Sequence, residues 1–322
     1  GPFARSGAAG YNIGPREQAM TDRPRLHIVF TMDCDSVALR HTERNAPRSW
    51  EQSARAIEGY CSRLLVAGFT PTLFLAHECA AEHVPLLEEL AGRGVELGLL
   101  IHPPMMELGR FKRNLGEYSP EEQRLIDAFA AERFADAIGV RPRSVRSGKY
   151  SASDATFKIL YEAGFRQGSI SRPGWEIPKF ASRWSNAPHD AHYTDPDRRD
   201  QPRDLPFFEL PLTTDPSQRY ADGMPFELTI DTGSVEALHR PVIEARLAAM
   251  EAANVTFRAL CITTANRFDY LDDDNQHSKT VDALIAYLEQ LASQYEIVPT
   301  TLAAAHEHFR RVRAERMDAL GN

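Results

Sequence analysis

At 322 residues the chain has room for one large α/β domain or two ordinary ones, with ample capacity for a buried core. Apolar residues make up 43% and charged residues 25%, the balance of a globular protein in water. The formal net charge of −8, with no block of basic residues, argues against a nucleic-acid or anionic-membrane surface, and no apolar run is long enough to span a bilayer.

Residues 1–19 read as an expression-vector remnant or disordered arm, with Met20 as the native start and 20–322 as a single domain. The first apolar run, 26–32, predicts a buried strand that ends in Asp33-Cys34-Asp35. The side-chain period of two would place Asp33 and Asp35 on the same side, where one could hold a metal while the other handles a proton. Asp-x-Asp after a strand is equally ordinary turn and capping chemistry. A helix over 50–67, a strand over 70–76 and a helix over 81–93 follow. The strand over 95–101 runs into His102-Pro103-Pro104. Ser119-Pro120-Glu121-Glu122 caps a helix over 120–138, with proline and acids in its first turn. The short strand 144–146 leads into Arg146-Ser147-Gly148-Lys149-Tyr150 and a helix over 152–163.

Residues 172–204 break this rhythm, being rich in Pro, Asp, Arg and His with little periodicity. The aromatics Trp175, Phe180, Trp184 and Tyr193 favour an ordered loop over the active face. The same loop carries His189-Asp190-Ala191-His192. A strand over 207–212, a helix over 234–253 and a strand over 256–263 come next, with Asn266 and His277 beyond. A helix over 278–293 and a weak strand over 296–298 close the series. Alternating strands and helices with short links imply a parallel sheet, either a barrel or an open doubly wound one. Cys34, Cys61, Cys79 and Cys261 form no Cys-x-x-Cys pattern and read as buried thiols in a reducing compartment, so a cytoplasmic location is expected.

Asp33, Asp35, His102, Arg146 and the Asn266–His277 region each fall just after a strand, on the rim where α/β folds place their chemistry. Singly, a strand-end histidine or arginine is more often a structural hydrogen-bonding residue. Four clusters on one inferred rim make a stronger case.

In combination and order these residues resemble the polysaccharide deacetylase (NodB-homology) family. Phe30-Thr31-Met32-Asp33-Cys34-Asp35 is similar to its strand followed by two acids. Gly92 to Pro104 is similar to its "G-H-E-I-G-x-H-x-H-P" segment, and Phe69-Thr70-Pro71-Thr72-Leu73-Phe74 to its "A-T-F-F" strand. Arg146-Ser147-Gly148-Lys149-Tyr150 resembles its "R-A-G-R-Y" motif, and Ile159 to Phe165 fits the helix after it. The resemblance implies a deformed (β/α) barrel of about seven parallel strands. It also implies an enzyme hydrolysing a non-peptide C–N bond, typically an N-acetyl group on a sugar. Carried over, Asp33 would be the general base, and Asp35 and His102 would bind a divalent metal, zinc in the family's usual chemistry. Arg146 would orient Asp33, and Tyr150 would help hold the developing oxyanion.

The sequence also departs from the family. Leu100 and Met106 stand where a second metal-binding histidine is wanted, and Cys261-Ile262-Thr263-Thr264-Ala265-Asn266 lacks the family's late histidine. Two ligands are too few for a tight zinc site. His277 is the candidate to replace the missing acid or ligand. Trp175, His189, His192 and Asn266 are candidates to touch substrate, with the two loop histidines also able to complete a metal site. Three readings stay open: a metal-assisted deacetylase of an N-acetylated sugar or glycan, a metal-independent amidohydrolase on a small amide, and a non-catalytic carbohydrate-binding barrel.

Overall fold

Strand β1 (Arg25–Cys34) is the longest of the sheet because it serves three neighbours. In the computed structural model, which describes residues 23–38 and 46–320, its first half pairs in parallel with Arg258–Ile262 on one side and Glu296–Pro299 on the other. Its second half, from Thr31 to Cys34, pairs with β2 (Thr72–Leu75). The sheet continues in parallel through β3 (Glu96–Ile101), β4 (Ser144–Ser147), β5 (Gln167–Gly168) and Leu205–Glu209, and ends on the antiparallel His192–Thr194. Among the described residues the parallel strands number eight, in keeping with the expected barrel of about seven. One of them, β5, is two residues long and carries no apolar run.

The curled sheet is a barrel whose open side is bridged by single contacts. Thr213 N–H donates to the Cys261 carbonyl at 3.2 Å, and Ile230 N–H donates to the Thr263 carbonyl at 2.9 Å. Alternation along β1 divides the two faces. Leu26, Ile28, Phe30, Met32 and Cys34 belong to the large core under the helices. Val29 belongs to a smaller core with Phe74, Leu100, Phe208 and Cys261, which fills the barrel interior. Asp33, in phase with Val29 and Thr31, therefore emerges from the interior at the carboxyl end of the strands.

The helices follow the apolar stripes, with two adjustments. The stretch read as one helix over 81–93 is split at His83 into His77–Glu82 and Val84–Gly92, with Pro85 in the first turn of the second. A terminal helix, Leu302–Leu320, was not read from the sequence; Leu302 and Ala305 are buried in the interior core. Pro120–Ile138 has the expected Ser119 cap, with Glu122 bonding back to the Ser119 N–H. The four cysteines are free and buried. Among the described residues no helix is long and apolar enough to cross a membrane. The reading of residues 1–19 lies outside the described residues.

Residues 172–204 fold back as short antiparallel pairs, Glu176–Ile177 with Ser182–Arg183 and His192–Thr194 with Leu205–Glu209. Trp184 is completely buried, and its indole N–H donates to the Tyr150 carbonyl at 2.8 Å. That half of the segment buttresses the carboxyl end of β4. Tyr193 instead packs on His306 and Phe309 of the terminal helix, so the segment does not lie wholly over one face.

Asp127, in the middle of Pro120–Ile138, is fully buried, and neither carboxylate oxygen has a hydrogen-bond partner among the described residues. Burial pushes its pKa up to about 8. With the folded value above the unfolded one, folding stability falls as pH rises from the ordinary carboxylate range towards 8. Each pH unit in that window costs up to about 1.4 kcal/mol. Asp127→Ala is expected to raise Tm at pH 8 and much less at pH 5. Equal shifts at both pH values in thermal denaturation would refute this account.

Candidate active site

The carboxyl ends of β1, β3 and β4 open into a cavity of about 240 Å³ lined by Asp33, Asp35, His102, Lys149, Tyr150 and Asp231, among others. A larger hollow of about 660 Å³ sits at the opposite rim beside Glu96, Arg143 and His306. Its one strand acid, Glu96, is tied to Thr72, Ser144 and the Ala303 N–H, so that carboxylate is already engaged.

Arg146 lies in the barrel interior with no exposed surface. Its Nε donates to the Ser169 carbonyl (2.8 Å) and its Nη2 to Ser169 Oγ (2.7 Å). Nη1 is shared among Thr31 Oγ1, Thr263 Oγ1 and Asp33 Oδ1 at 2.8 to 2.9 Å. The Phe74 ring covers the guanidinium at 4.4 Å. Burial opposes the charge, but Asp33, Tyr150 and Cys261 outweigh it and hold the pKa above its ordinary value. Asp33 is thus a carboxylate oriented by a permanent cation beneath it.

Asp35 is aimed by different means. Its backbone N–H donates to Asn266 Oδ1 (3.0 Å), and Asn266 Nδ2 donates to the Asp35 carbonyl (3.0 Å) and Ser53 Oγ (2.8 Å). Asp35 Oδ2 lies 2.6 Å from His102 Nδ1, and Ser36 N–H donates to Oδ1 at 3.0 Å. His102 fits because residue 148 is glycine: a Cβ there would lie 2.2 Å from the imidazole carbons. Lys149 and Tyr150 follow with left-handed backbone (φ 58° and 54°), conformations that side-chain-bearing residues adopt at a cost and that gather at functional sites.

Sequence reading missed Asp231. It lines the cavity, accepts from Thr264 Oγ1 at 2.8 Å and lies 3.6 Å from Arg267. Burial pushes its pKa up to about 6; Thr264 and Arg267 pull it down, while Asp33 and Glu227 push it further up. The one signal for it was local: Leu228-Thr229-Ile230-Asp231 repeats the apolar-then-acid ending of β1.

The structure brings Asp33, Asp35, His102 and Tyr150 to the cavity, with Arg146 directly behind Asp33. The other candidates lie elsewhere. Asn266 is fully buried, with its amide spent on the Asp35 backbone and Ser53, so it positions Asp35 instead of facing substrate. His277 stacks on Phe268 at 3.5 Å, lies with Nδ1 3.1 Å from the accepting Asn275 Oδ1, and bonds to the backbone of Asp231, standing behind that acid. His189 contacts Thr214 Oγ1, and His192 contacts the Asp190 carbonyl. Burial brings both down to about 4. Trp175 is not among the described residues lining the cavity; it stacks on the guanidinium of Arg172, which does line it, at 3.2 Å.

The donor set does not fit a closed metal centre. Asp35 and His102 are hydrogen-bonded to each other, and Leu100 and Met106 are apolar and buried. Among the described residues no third acid, histidine or cysteine joins the Asp35–His102 pair; the one such triplet is His77, Glu78 and Glu107. There, opposite edges of one imidazole meet the two carboxylates, at 2.8 Å and 3.1 Å. Burial lowers the His77 pKa, but the two glutamates outweigh it and hold it above its ordinary value. Glu78 also accepts from Ser36, so this cluster ties down the turn beyond Asp35.

No family model and no curated protein matches the chain in sequence. Solved structures match in shape. One described as a polysaccharide deacetylase from Mycobacterium smegmatis superposes with a TM-score of 0.57 at 16% identity, over 92% of both chains. PuuE allantoinase gives 0.55 at 12% identity, over 96% of this chain and 98% of its own. A polysaccharide deacetylase from Pseudomonas aeruginosa PAO1 gives 0.54 at 12% identity, over 89% and 92%. The chain has the polysaccharide deacetylase fold, the NodB-type deformed barrel expected from its motifs.

Gly148→Ala is expected to push the His102 ring off Asp35 and to lower any activity of the cavity by at least about tenfold through misplacement alone. A crystal structure of the variant with the 2.6 Å contact intact would refute the packing argument.

Proposed function

We propose that the protein hydrolyses a non-peptide C–N amide bond, releasing an acyl group from an amino sugar or opening a comparable small amide. The observation that carries this reading is the placing of two acids in one cavity: Asp33, ion-paired with buried Arg146, and Asp231, whose pKa burial pushes up to about 6. Paired titratable groups in unlike environments divide base and acid roles. Asp33 takes a proton from the attacking water. The C–N bond breaks, and Asp231 returns a proton to the leaving nitrogen. Asp35 and His102 form a hydrogen-bonded pair that fixes the cavity floor, and Tyr150 lies within reach of the developing oxyanion. The names of the structural neighbours, deacetylases and an allantoinase, support an amide substrate.

Asp33→Asn is expected to reduce turnover of N-acetyl-hexosamine or small ring-amide substrates by about 10²-fold or more, with the far-ultraviolet circular dichroism retained. Product assays with unaltered turnover in that variant would reject the reading. Binding of sugars with no turnover in the parent protein would favour a carbohydrate-binding barrel.

Because Asp231 must be protonated to act as an acid, kcat/KM is expected to decline as pH rises past about 6. Asp231→Asn removes that limb along with most of the rate. An unchanged pH profile in the variant would remove Asp231 from the mechanism. Activity that survives exhaustive chelation is the expected companion result; one tightly held equivalent of metal together with chelator-abolished turnover would restore the metal-assisted version.

A further inference from the structure

The carboxylates around the cavity are all engaged by side chains of the protein. Asp33 is ion-paired with Arg146 and Asp35 is hydrogen-bonded to His102; Asp231 is held by Thr264 and Arg267, and Glu227 by a two-pronged contact from Arg172. Lys149 is different. It lines the cavity, yet among the described residues its ammonium has no carboxylate within ion-pair distance and no hydrogen-bond acceptor. The ammonium lies 5.9 Å from the centre of the Phe180 ring.

The neighbourhood does not explain this as a solvated surface lysine. Burial lowers its pKa, Asp35 and Asp33 act against that lowering from a distance, and Arg172 and Arg267 add to it. The residue also sits in left-handed backbone immediately before a second left-handed residue, Tyr150, a turn fixed from below by Trp184. A strained turn thus holds a partly desolvated cation at the mouth of a small cavity. Such a group gains most from an anion that arrives with the ligand. The four carboxylates nearby limit what that anion can be: a dianionic phosphate would meet more repulsion than a single carboxylate.

We propose that Lys149 is a substrate-recognition residue and that the amide substrate carries a carboxylate, which the Lys149 ammonium pairs. This rests on the amide-hydrolase reading for the identity of the substrate, but its test does not require turnover. Calorimetry on the full chain compares N-acetyl-D-glucosaminuronic acid with N-acetyl-D-glucosamine, which differ only in a carboxylate for a hydroxymethyl. N-acetylglycine is compared with N-acetylglycinamide in the same way. In at least one pair the acid is expected to bind about tenfold or more tighter, a difference that shrinks with added salt. Lys149→Met is expected to reduce the preference to less than about twofold, and Lys149→Arg to retain most of it.

Equal binding of the acid and its neutral partner, a preference that survives in Lys149→Met, or no binding by either acid would each overturn the proposal. Hydrolysis without any preference for acids would overturn this inference and leave the hydrolase reading standing. Selective binding of an acid without hydrolysis would do the reverse.

Discussion

A guanidinium sealed inside a barrel is expensive unless every donor is met, and Arg146 meets its acceptors on strands from both halves of the chain. Thr31 and Asp33 come from β1, Ser169 from just past β5, and Cys261 and Thr263 from the end of the Arg258–Ile262 strand. Removing one partner from such a set leaves an uncompensated buried charge, a loss of about 3–5 kcal/mol. The position of Asp33 is therefore a property of the whole barrel. A carboxylate fixed so firmly does not need to reorganise when a water is placed against it.

The rest of the cavity follows the same logic at lower stakes. Asp35 is held through its backbone by Asn266, His102 through the space left by Gly148, and Tyr150 through the indole of Trp184. Each of these supports comes from a different element. The inserted segment, which interrupts the strand–helix rhythm, proves to be structural on one half: its tryptophan anchors the strained turn that carries Lys149. Charge within the cavity is balanced largely by side chains of the protein itself.

Much of this was legible in the sequence because strong local signals coincide with the residues that matter. The apolar runs before Asp33 and His102 are long enough to fix strand ends, and the period of two along β1 puts Asp33 on the face of Val29, which the fold turns inward. β5 was invisible because Gln167 and Gly168 pair by backbone alone, and Gln167 spends its side chain on Ser144 and His306. The terminal helix was missed because only a few of its residues reach the core. Asp231 was unreadable as an acid since its tuning comes from burial first and then from Thr264, Arg267, Asp33 and Glu227, none adjacent to it in sequence. The histidines misled for the opposite reason. Residue type suggested chemistry, whereas burial and backbone contacts had already committed His189, His192 and His277.

The pairing of β1 has a consequence for how the molecule can come into being. Its opening strand finds one neighbour at 258–262 and another at 296–299, and the guanidinium that steadies Asp33 waits for Thr263 to complete its shell. On a ribosome, the shell around the Arg146–Asp33 pair cannot be completed until most of the polypeptide has emerged. Long-range closure of this kind is slow and leaves a sticky apolar edge uncovered in the interim. Production of this protein should therefore be governed less by its finished stability than by how well that half-made edge is shielded during translation.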